Sequence, residues 1–244
     1  MSKGVNEPTL RAADIVLCLD VTGAMAPIVE ELAAYAPKMH QALAERTLAA
    51  GAKLCGLRVK LVLFKDYKCD VEPITETRFF SLPDEVGELA AELSSVRCGG
   101  GGDFPEGALE GLCVAMRSDF APSEPAIPII TLISDATAHP LGTDYGEFCD
   151  YPAYMPKSRD ELRAIWQEGA AFSDGYRIKG LPNLIIYMPS ECKSGGSVGV
   201  QTLRELERSY AVEVKPGCGC ADVSGDDLVG IWSEIITKGC RYAT

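Results

Sequence analysis

The sequence predicts an α/β protein with an open, mostly parallel sheet and helices on both of its faces. Short apolar runs alternate along the chain with segments in which apolar residues recur at helical spacing. Two runs, at residues 15–19 and 127–134, are apolar almost throughout, which is typical of strands buried on both faces of a parallel sheet. No linker interrupts this alternation, so we predict a single domain over residues 14–244 that follows a polar tail at residues 1–13.

The elements follow one another at spacings typical of such a fold. Strands are predicted at residues 15–19, 57–64, 127–134, 183–188 and 212–215, with one short antiparallel edge strand at residues 78–80. Helices are predicted at residues 28–43, 86–93, 108–116, 159–172, 200–210 and 227–238. Pro37 falls inside the first helix and is expected to kink or break it. The interval 138–182 is expected to be an elaborated connection, and such insertions are often functional.

Composition and charge exclude several classes of protein. The formal net charge of the 244 residues is -12, which disfavours binding to nucleic acids and to anionic membranes. No apolar run approaches the roughly 18 residues that span a bilayer, and the N-terminus lacks a signal-peptide pattern, so we expect a cytoplasmic protein. The ten cysteines include no C-x-x-C pair. Cys218 and Cys220, with Cys240 further on, are a minor candidate for a metal or redox site.

Three acidic loops are candidates for a functional site. The first is the segment 20–25, which begins with Asp20 directly after an apolar strand; the second is the glycine-rich segment 99–106, and the third is the segment 134–139. In an open α/β sheet, ligands bind at the carboxyl ends of the strands. Asp20 and Asp135 would both lie there if their strands are neighbours. Carboxylates and a hydroxyl that converge on one crevice suit Mg²⁺ or Mn²⁺.

Each of these loops also has a purely structural interpretation. Asp103 and Glu106 have the spacing of a helix capping box, and Thr22 could cap the helix that follows it. The structural interpretation is weakest for Asp20 and Asp135, because an acid at the end of a buried strand needs a partner.

The order of these motifs resembles the von Willebrand factor type A domain. The chain has D-x-T-G-x-M after the first strand, then G-G-G-D-x-P-E, then an apolar strand that ends in S-D-A. It is most similar to the intracellular and microbial branch, which includes the type attached to α-kinases. The resemblance implies a Rossmann-like sheet and a metal-ion-dependent adhesion site. Asp20, Thr22 and Asp135 match its ligands, and Asp103 is the nearest further ligand. Ala24 and Pro105 stand where relatives usually have hydroxyl residues.

The resemblance further implies a cytoplasmic interaction or adaptor module. It would bind Mg²⁺, or Mn²⁺, and recognise a Glu or Asp carboxylate of a protein partner. Two alternatives stay open: a metal-free scaffold, and a metal-dependent hydrolase or phosphoryl-transfer enzyme that uses Asp20 and Asp135. No hydrolase motif such as G-x-S-x-G or H-E-x-x-H is present. Four further residues are candidates for contact with the partner, with a structural role as the alternative: His139, Tyr145, Tyr151 and Tyr154.

Overall fold

A computed structural model describes residues 7–102, 105–121, 126–145, 150–191 and 197–238. Seven strands form one sheet, and they are β1 (Thr9–Asp20), β2 (Ala52–Phe64), β3 (Ile74–Glu76), β4 (Phe80–Leu82), β5 (Ala126–Ile133), β6 (Asn183–Tyr187) and β7 (Ser209–Val212). Their order across the sheet is β3-β2-β1-β5-β6-β7, and β4 also pairs with β2. The five longer strands of the central path are parallel, whereas β3 and β4 pair with β2 in the antiparallel sense. The predicted α/β class is confirmed.

Helices cover both faces of the sheet. They are α1 (Ala26–Ala49), α2 (Val86–Ser95), α3 (Ala108–Met116), α4 (Arg159–Gln167), α5 (Ser197–Arg204) and α6 (Gly225–Lys238). Buried side chains of α1, α2 and α6 form one core with the sheet, and those of α3, α4 and α5 form the other. Alternate residues of β1 belong to the two cores, because successive side chains of a strand point to opposite faces. No described helix is both long and apolar enough to cross a membrane.

Helix α1 passes through Pro37 without a break, so the expected interruption does not occur. A proline in a helix interior costs about 3 kcal/mol because it removes a hydrogen bond and crowds the preceding turn. The buried side chains of α1 offset this cost, since each contributes roughly 1.5–3 kcal/mol. Leu32, Met39 and Leu43 are fully buried on both sides of the proline.

Several predicted boundaries are wrong. The edge strand predicted at residues 78–80 is displaced: the antiparallel edge consists of β3 and β4, which lie on either side of Thr77–Phe79. Helix α5 ends at Arg204, and β7 begins at Ser209, before the strand predicted at residues 212–215. Apolar residues continue at helical spacing beyond the end of α5, which explains the longer prediction. Helix α4 likewise ends at Gln167.

Candidate functional site

Two acids lie at adjacent strand ends on the carboxyl edge of the sheet. Strands β1 and β5 are neighbours in register, with Leu19 paired to Ile133. Asp20 is the last residue of β1, and Asp135 follows β5 by two residues. Both side chains are buried. The condition for bringing the two acids together, that their strands be neighbours, is met, and the acids share one edge.

Hydroxyl and main-chain donors surround the carboxylate of Asp20. Its Oδ1 accepts hydrogen bonds from the Thr22 main-chain N–H at 2.8 Å and from Thr22 Oγ1 at 2.7 Å. Its Oδ2 accepts one from Ser134 Oγ at 2.6 Å. The Thr22 side chain makes no capping bond to the short 3₁₀ helix Gly23–Met25 that follows it. The capping interpretation of Thr22 is therefore wrong, because its hydroxyl faces the acid.

Asp135 is held by a distant part of the chain, the segment 217–220, which we name the strap loop. The Gly219 main-chain N–H donates to Asp135 Oδ2 at 2.5 Å, and the Gly217 N–H donates to the Asp135 carbonyl oxygen at 2.9 Å. Gly219 has a φ of +61°, and a Cβ on it would lie 2.1 Å from the Ala24 carbonyl oxygen. Only glycine fits here. Sequence reasoning noticed this loop for its cysteines and missed its contact with Asp135.

Burial is the main electrostatic influence on both acids. It raises the pKa of Asp20 to about 6, although the hydrogen bonds from Ser134 and Thr22 oppose it and the charge of Asp135 adds to it. Burial also raises the pKa of Asp135 against the hydrogen bond from Gly219. Neither acid forms an ion pair with a basic side chain among the described residues. The described part of the chain thus gives Asp20 and Asp135 no basic partner.

The glycine-rich loop lies against Thr22. The Gly99 N–H donates to the Val21 carbonyl oxygen at 2.9 Å. A Cβ on Gly101, which has a φ of +70°, would lie 3.1 Å from Thr22 Cβ and 2.8 Å from Glu106 Oε1. Glu106 is buried, and its Oε1 and the Thr22 side chain both border Gly101. It is a further acid at this edge that sequence reasoning considered only as a cap.

Helix α3 starts later than a capping box would require. It begins at Ala108 with Gly107 as its N-cap, so Glu106 precedes the helix and the capping-box interpretation is wrong. The main chain of Glu106 instead pairs with the third loop, donating to the Thr137 carbonyl oxygen at 2.8 Å and accepting from the His139 N–H at 3.0 Å. Asp103, the other member of the box and a candidate ligand, lies outside the described residues.

The oxygen donors present fit a hard divalent cation. Asp20, Asp135 and the Thr22 hydroxyl supply the ligand types that Mg²⁺ prefers, and a cation would balance their charge. Across the described residues, no three His, Cys, Asp or Glu side chains are grouped closely enough to hold a metal ion by themselves. Such an ion would therefore need hydroxyl and water ligands besides the two acids. Mg²⁺ usually keeps several waters.

A second buried group lies beside this edge, and its centre is Glu110 of α3. Tyr145 and Tyr151 donate their hydroxyls to Glu110 Oε1 at 2.9 and 3.1 Å. The ring of Tyr67 lies 5.8 and 5.0 Å from the rings of these two tyrosines, measured between centroids. Burial raises the pKa of Glu110 despite the tyrosine donors. Sequence reasoning missed Glu110, because an acid in the first turn of a helix is ordinary.

The predicted partner-contact residues belong largely to this group. His139 and Tyr145 are 7% and 8% exposed, and their rings meet edge to face at 5.6 Å. His139 Nε2 lies 3.3 Å from Asp66 Oδ1. Tyr151 and Tyr154 are half-buried, and the guanidinium of Arg117 lies 4.1 Å from the centre of the Tyr154 ring. The two half-buried tyrosines retain the more accessible surface.

Two bacterial pilus proteins are among the solved structures similar to this chain. The pilus adhesin SpaC from Lactobacillus rhamnosus GG, in an open conformation, is 12% identical and matches 94% of this chain with a TM-score of 0.52. The PilB minor pilin from Streptococcus sanguinis is 11% identical and matches 98% of this chain with a TM-score of 0.51. This chain spans 30% of the adhesin and 64% of the minor pilin.

A von Willebrand factor type A protein from Catenulispora acidiphila is also similar. It is 14% identical, with a TM-score of 0.46 over 94% of this chain and 42% of its own length. No protein-family model matches the sequence, and no curated protein does. Identities this low bear on the fold alone. The two pilus proteins, whose TM-scores exceed 0.5, share the von Willebrand factor type A-like fold of this chain.

Proposed function

We propose that this protein is an interaction module of the von Willebrand factor type A kind. It binds Mg²⁺ or Mn²⁺ at the carboxyl edge of its sheet and recognises a partner through a Glu or Asp side chain. One observation carries the proposal: two buried carboxylates, Asp20 and Asp135, share this edge, and no basic side chain of the described residues neutralises them. The fold shared with the pilus adhesin supports it.

The residues at the carboxyl edge have different roles in binding the cation. Asp20 and Asp135 supply negative charge, the Thr22 hydroxyl supplies a neutral oxygen, and Asp103 is the candidate for a further acid. Ser134 orients Asp20 by donating to Oδ2, and the strap loop orients Asp135. A bound divalent cation would reverse the local potential and attract an acidic group, although the protein as a whole is negative.

Titration calorimetry of chelator-treated protein tests the metal site. We expect Mg²⁺ or Mn²⁺ to bind the wild type at one site and to leave Asp20→Asn unbound, because this variant keeps the shape of the side chain and loses its charge. Asp160→Asn is the matched control: the same change on the exposed surface of α4. Binding by Asp20→Asn as tight as that of the wild type would place the ion elsewhere.

The same titration separates the metal-free scaffold from the proposal. The scaffold has one observation in its favour, since both oxygens of Asp20 already accept hydrogen bonds from the protein. It requires that neither ion binds to the wild type, Asp20→Asn or Asp160→Asn, and that neither ion raises the melting temperature of the wild type.

A cytoplasmic location is part of our proposal, and cell fractionation of the native protein checks it.

Recognition of a carboxylate is a separate step with its own test. A synthetic peptide carrying a single exposed glutamate is compared with its glutamine counterpart, each in the presence of Mg²⁺ and then of chelator. We expect only the glutamate peptide to bind, and only with the ion. Equal binding of the two peptides would contradict recognition through a carboxylate, even if the ion itself binds.

A further inference from the structure

A groove lies along the outer edge of the sheet beside β3, which β2 separates from β1 and its terminal Asp20. It has a volume of about 540 Å³ and separates the segment 71–76, which contains β3, from the segment 150–154 of the long connection. We name it the β3 groove. The side chains that matter for its chemistry are Tyr67, Glu72, Ile74, Glu76, Asp150 and Tyr154.

The charges of the β3 groove are acidic and only partly neutralised. Glu76 is paired with Lys60, whose Nζ lies 2.6 Å from Glu76 Oε2. Glu72 and Asp150 are exposed, and neither forms an ion pair with another described residue. The neighbouring guanidinium of Arg117 is already engaged, because it pairs with Asp174 at 2.7 Å. Two carboxylates thus face the groove, and the described part of the chain offers them no counter-charge.

Main-chain groups of β3 also face away from the sheet. Strand β3 is the outermost strand, and it pairs only with β2 among the described strands. The Lys65 N–H donates to the Pro73 carbonyl oxygen at 2.7 Å, and the Thr77 N–H donates to the Leu61 carbonyl oxygen at 3.0 Å. Because the direction of main-chain groups alternates along an antiparallel strand, those of Ile74 and Glu76 point outward. An edge of this kind can accept another extended chain.

We propose that the β3 groove binds an extended basic segment of a partner protein. The segment lies beside β3 and forms hydrogen bonds with the outward main-chain groups of Ile74 and Glu76. Lys or Arg residues occupy every second position of the segment, so that their side chains lie on one face and approach Glu72 and Asp150. The negative charge of the whole protein draws such a segment in from a distance. This inference does not depend on the proposed metal site, whose acids follow β1 and β5 and do not line the β3 groove.

Fluorescence anisotropy with a labelled ten-residue peptide of alternating lysine and threonine tests the charge component. The double variant Glu72→Lys/Asp150→Lys is expected to bind the peptide about tenfold more weakly than the wild type, because like charges are brought together. The control Glu45→Lys/Glu207→Lys makes the same change in net charge at exposed positions away from the groove. If both double variants lose the same affinity for the peptide, net charge alone explains the loss and the proposal is overturned.

Main-chain pairing is tested on the peptide, which leaves the fold of the protein untouched. Two forms of the peptide are N-methylated, one at its odd and one at its even positions, so that each keeps the charge and loses the donors of one edge. We expect one form to lose about tenfold in affinity and the other to bind normally. If both bind like the parent peptide, or if spermine displaces the peptide as effectively as an unlabelled copy does, the groove is a site for small cations only.

Discussion

At the scale of single residues, Asp20 is the point where burial and hydrogen bonding oppose each other. Three donors stabilise its charged form, yet burial dominates and the pKa rises to about 6. The nearby charge of Asp135 acts in the same direction as burial. The folded protein therefore holds a carboxylate that is costly to ionise at neutral pH unless a positive charge is supplied.

This environment predicts a pH dependence of stability. The folded state binds the Asp20 proton more tightly than the unfolded state, in which the pKa is about 4. The stabilising contribution is therefore complete below pH 4 and is lost as the pH rises through 6. In metal-free buffer, we expect the free energy of unfolding of the wild type to fall by about 2 kcal/mol relative to Asp20→Asn between pH 4 and 7. Urea denaturation at a series of pH values measures this difference.

Added Mg²⁺ provides a control for that experiment. At pH 7 the ion should restore part of the lost stability of the wild type and leave Asp20→Asn unchanged, because only the wild type carries the charge. Parallel pH profiles for the two proteins in metal-free buffer would contradict the assignment of the titration to Asp20.

At the scale of elements, the strap loop predicts a glycine requirement. Gly219→Ala should lower the free energy of unfolding by about 2–4 kcal/mol, because it combines a positive φ with a collision against the Ala24 carbonyl oxygen. Gly169→Ala is the matched control, since Gly169 has a φ of +69° and a Cβ on it would have nothing within 4 Å. It should lose only about 1 kcal/mol. Denaturant unfolding compares the two variants, and equal losses would show that the contact with Ala24 is unimportant.

The sequence predicted some elements better than others for physical reasons. The central parts of β1 and β5 are buried on both faces, so residues 15–19 of β1 are all apolar and Thr131 is the one polar residue of β5; an acid follows each run closely. Helix α5 and strand β7 are short and half-buried, so their limits depend on tertiary packing that no local pattern records. The acid pair was predictable from strand order, whereas Glu106 and Glu110 were not, because their burial depends on distant loops.

The strap loop shows the limit of sequence reasoning most clearly. Its contact with Asp135 joins residues that are 84 positions apart in the sequence. The donors are main-chain N–H groups, so no side-chain motif predicts the contact. The only signal in the sequence was the pair of glycines on either side of Cys218. Glycines indicate that the chain turns tightly or passes close to other atoms, and they do not identify those atoms.

At the scale of the whole molecule, the sheet lies between two cores and contributes side chains to both. The two tryptophans of the sequence lie on opposite sides, with Trp166 in the core of α3, α4 and α5 and Trp232 in the core of α1, α2 and α6. Both indoles are buried and donate hydrogen bonds, Trp166 to the Glu207 carbonyl oxygen and Trp232 to Thr131 Oγ1. Each tryptophan is therefore a fluorescent reporter of one core.

We predict that the two cores unfold together. In Trp166→Phe the remaining fluorescence reports the core around Trp232, and Trp232→Phe reports the other core. Within each variant, the denaturation midpoint from fluorescence should coincide with the midpoint from far-ultraviolet circular dichroism, because alternate residues of β1 belong to both cores. Midpoints that differ in either variant would show that one core opens before the other.

The late position of the strap loop has a consequence for synthesis. A ribosome adds about 5–20 residues per second, so the 84 residues between Asp135 and Gly219 take roughly 4 to 17 seconds to make. Throughout that interval the nascent chain already contains both acids and lacks the donors that orient Asp135. Asp135 therefore reaches its final hydrogen-bonded state only after Gly219 has been made.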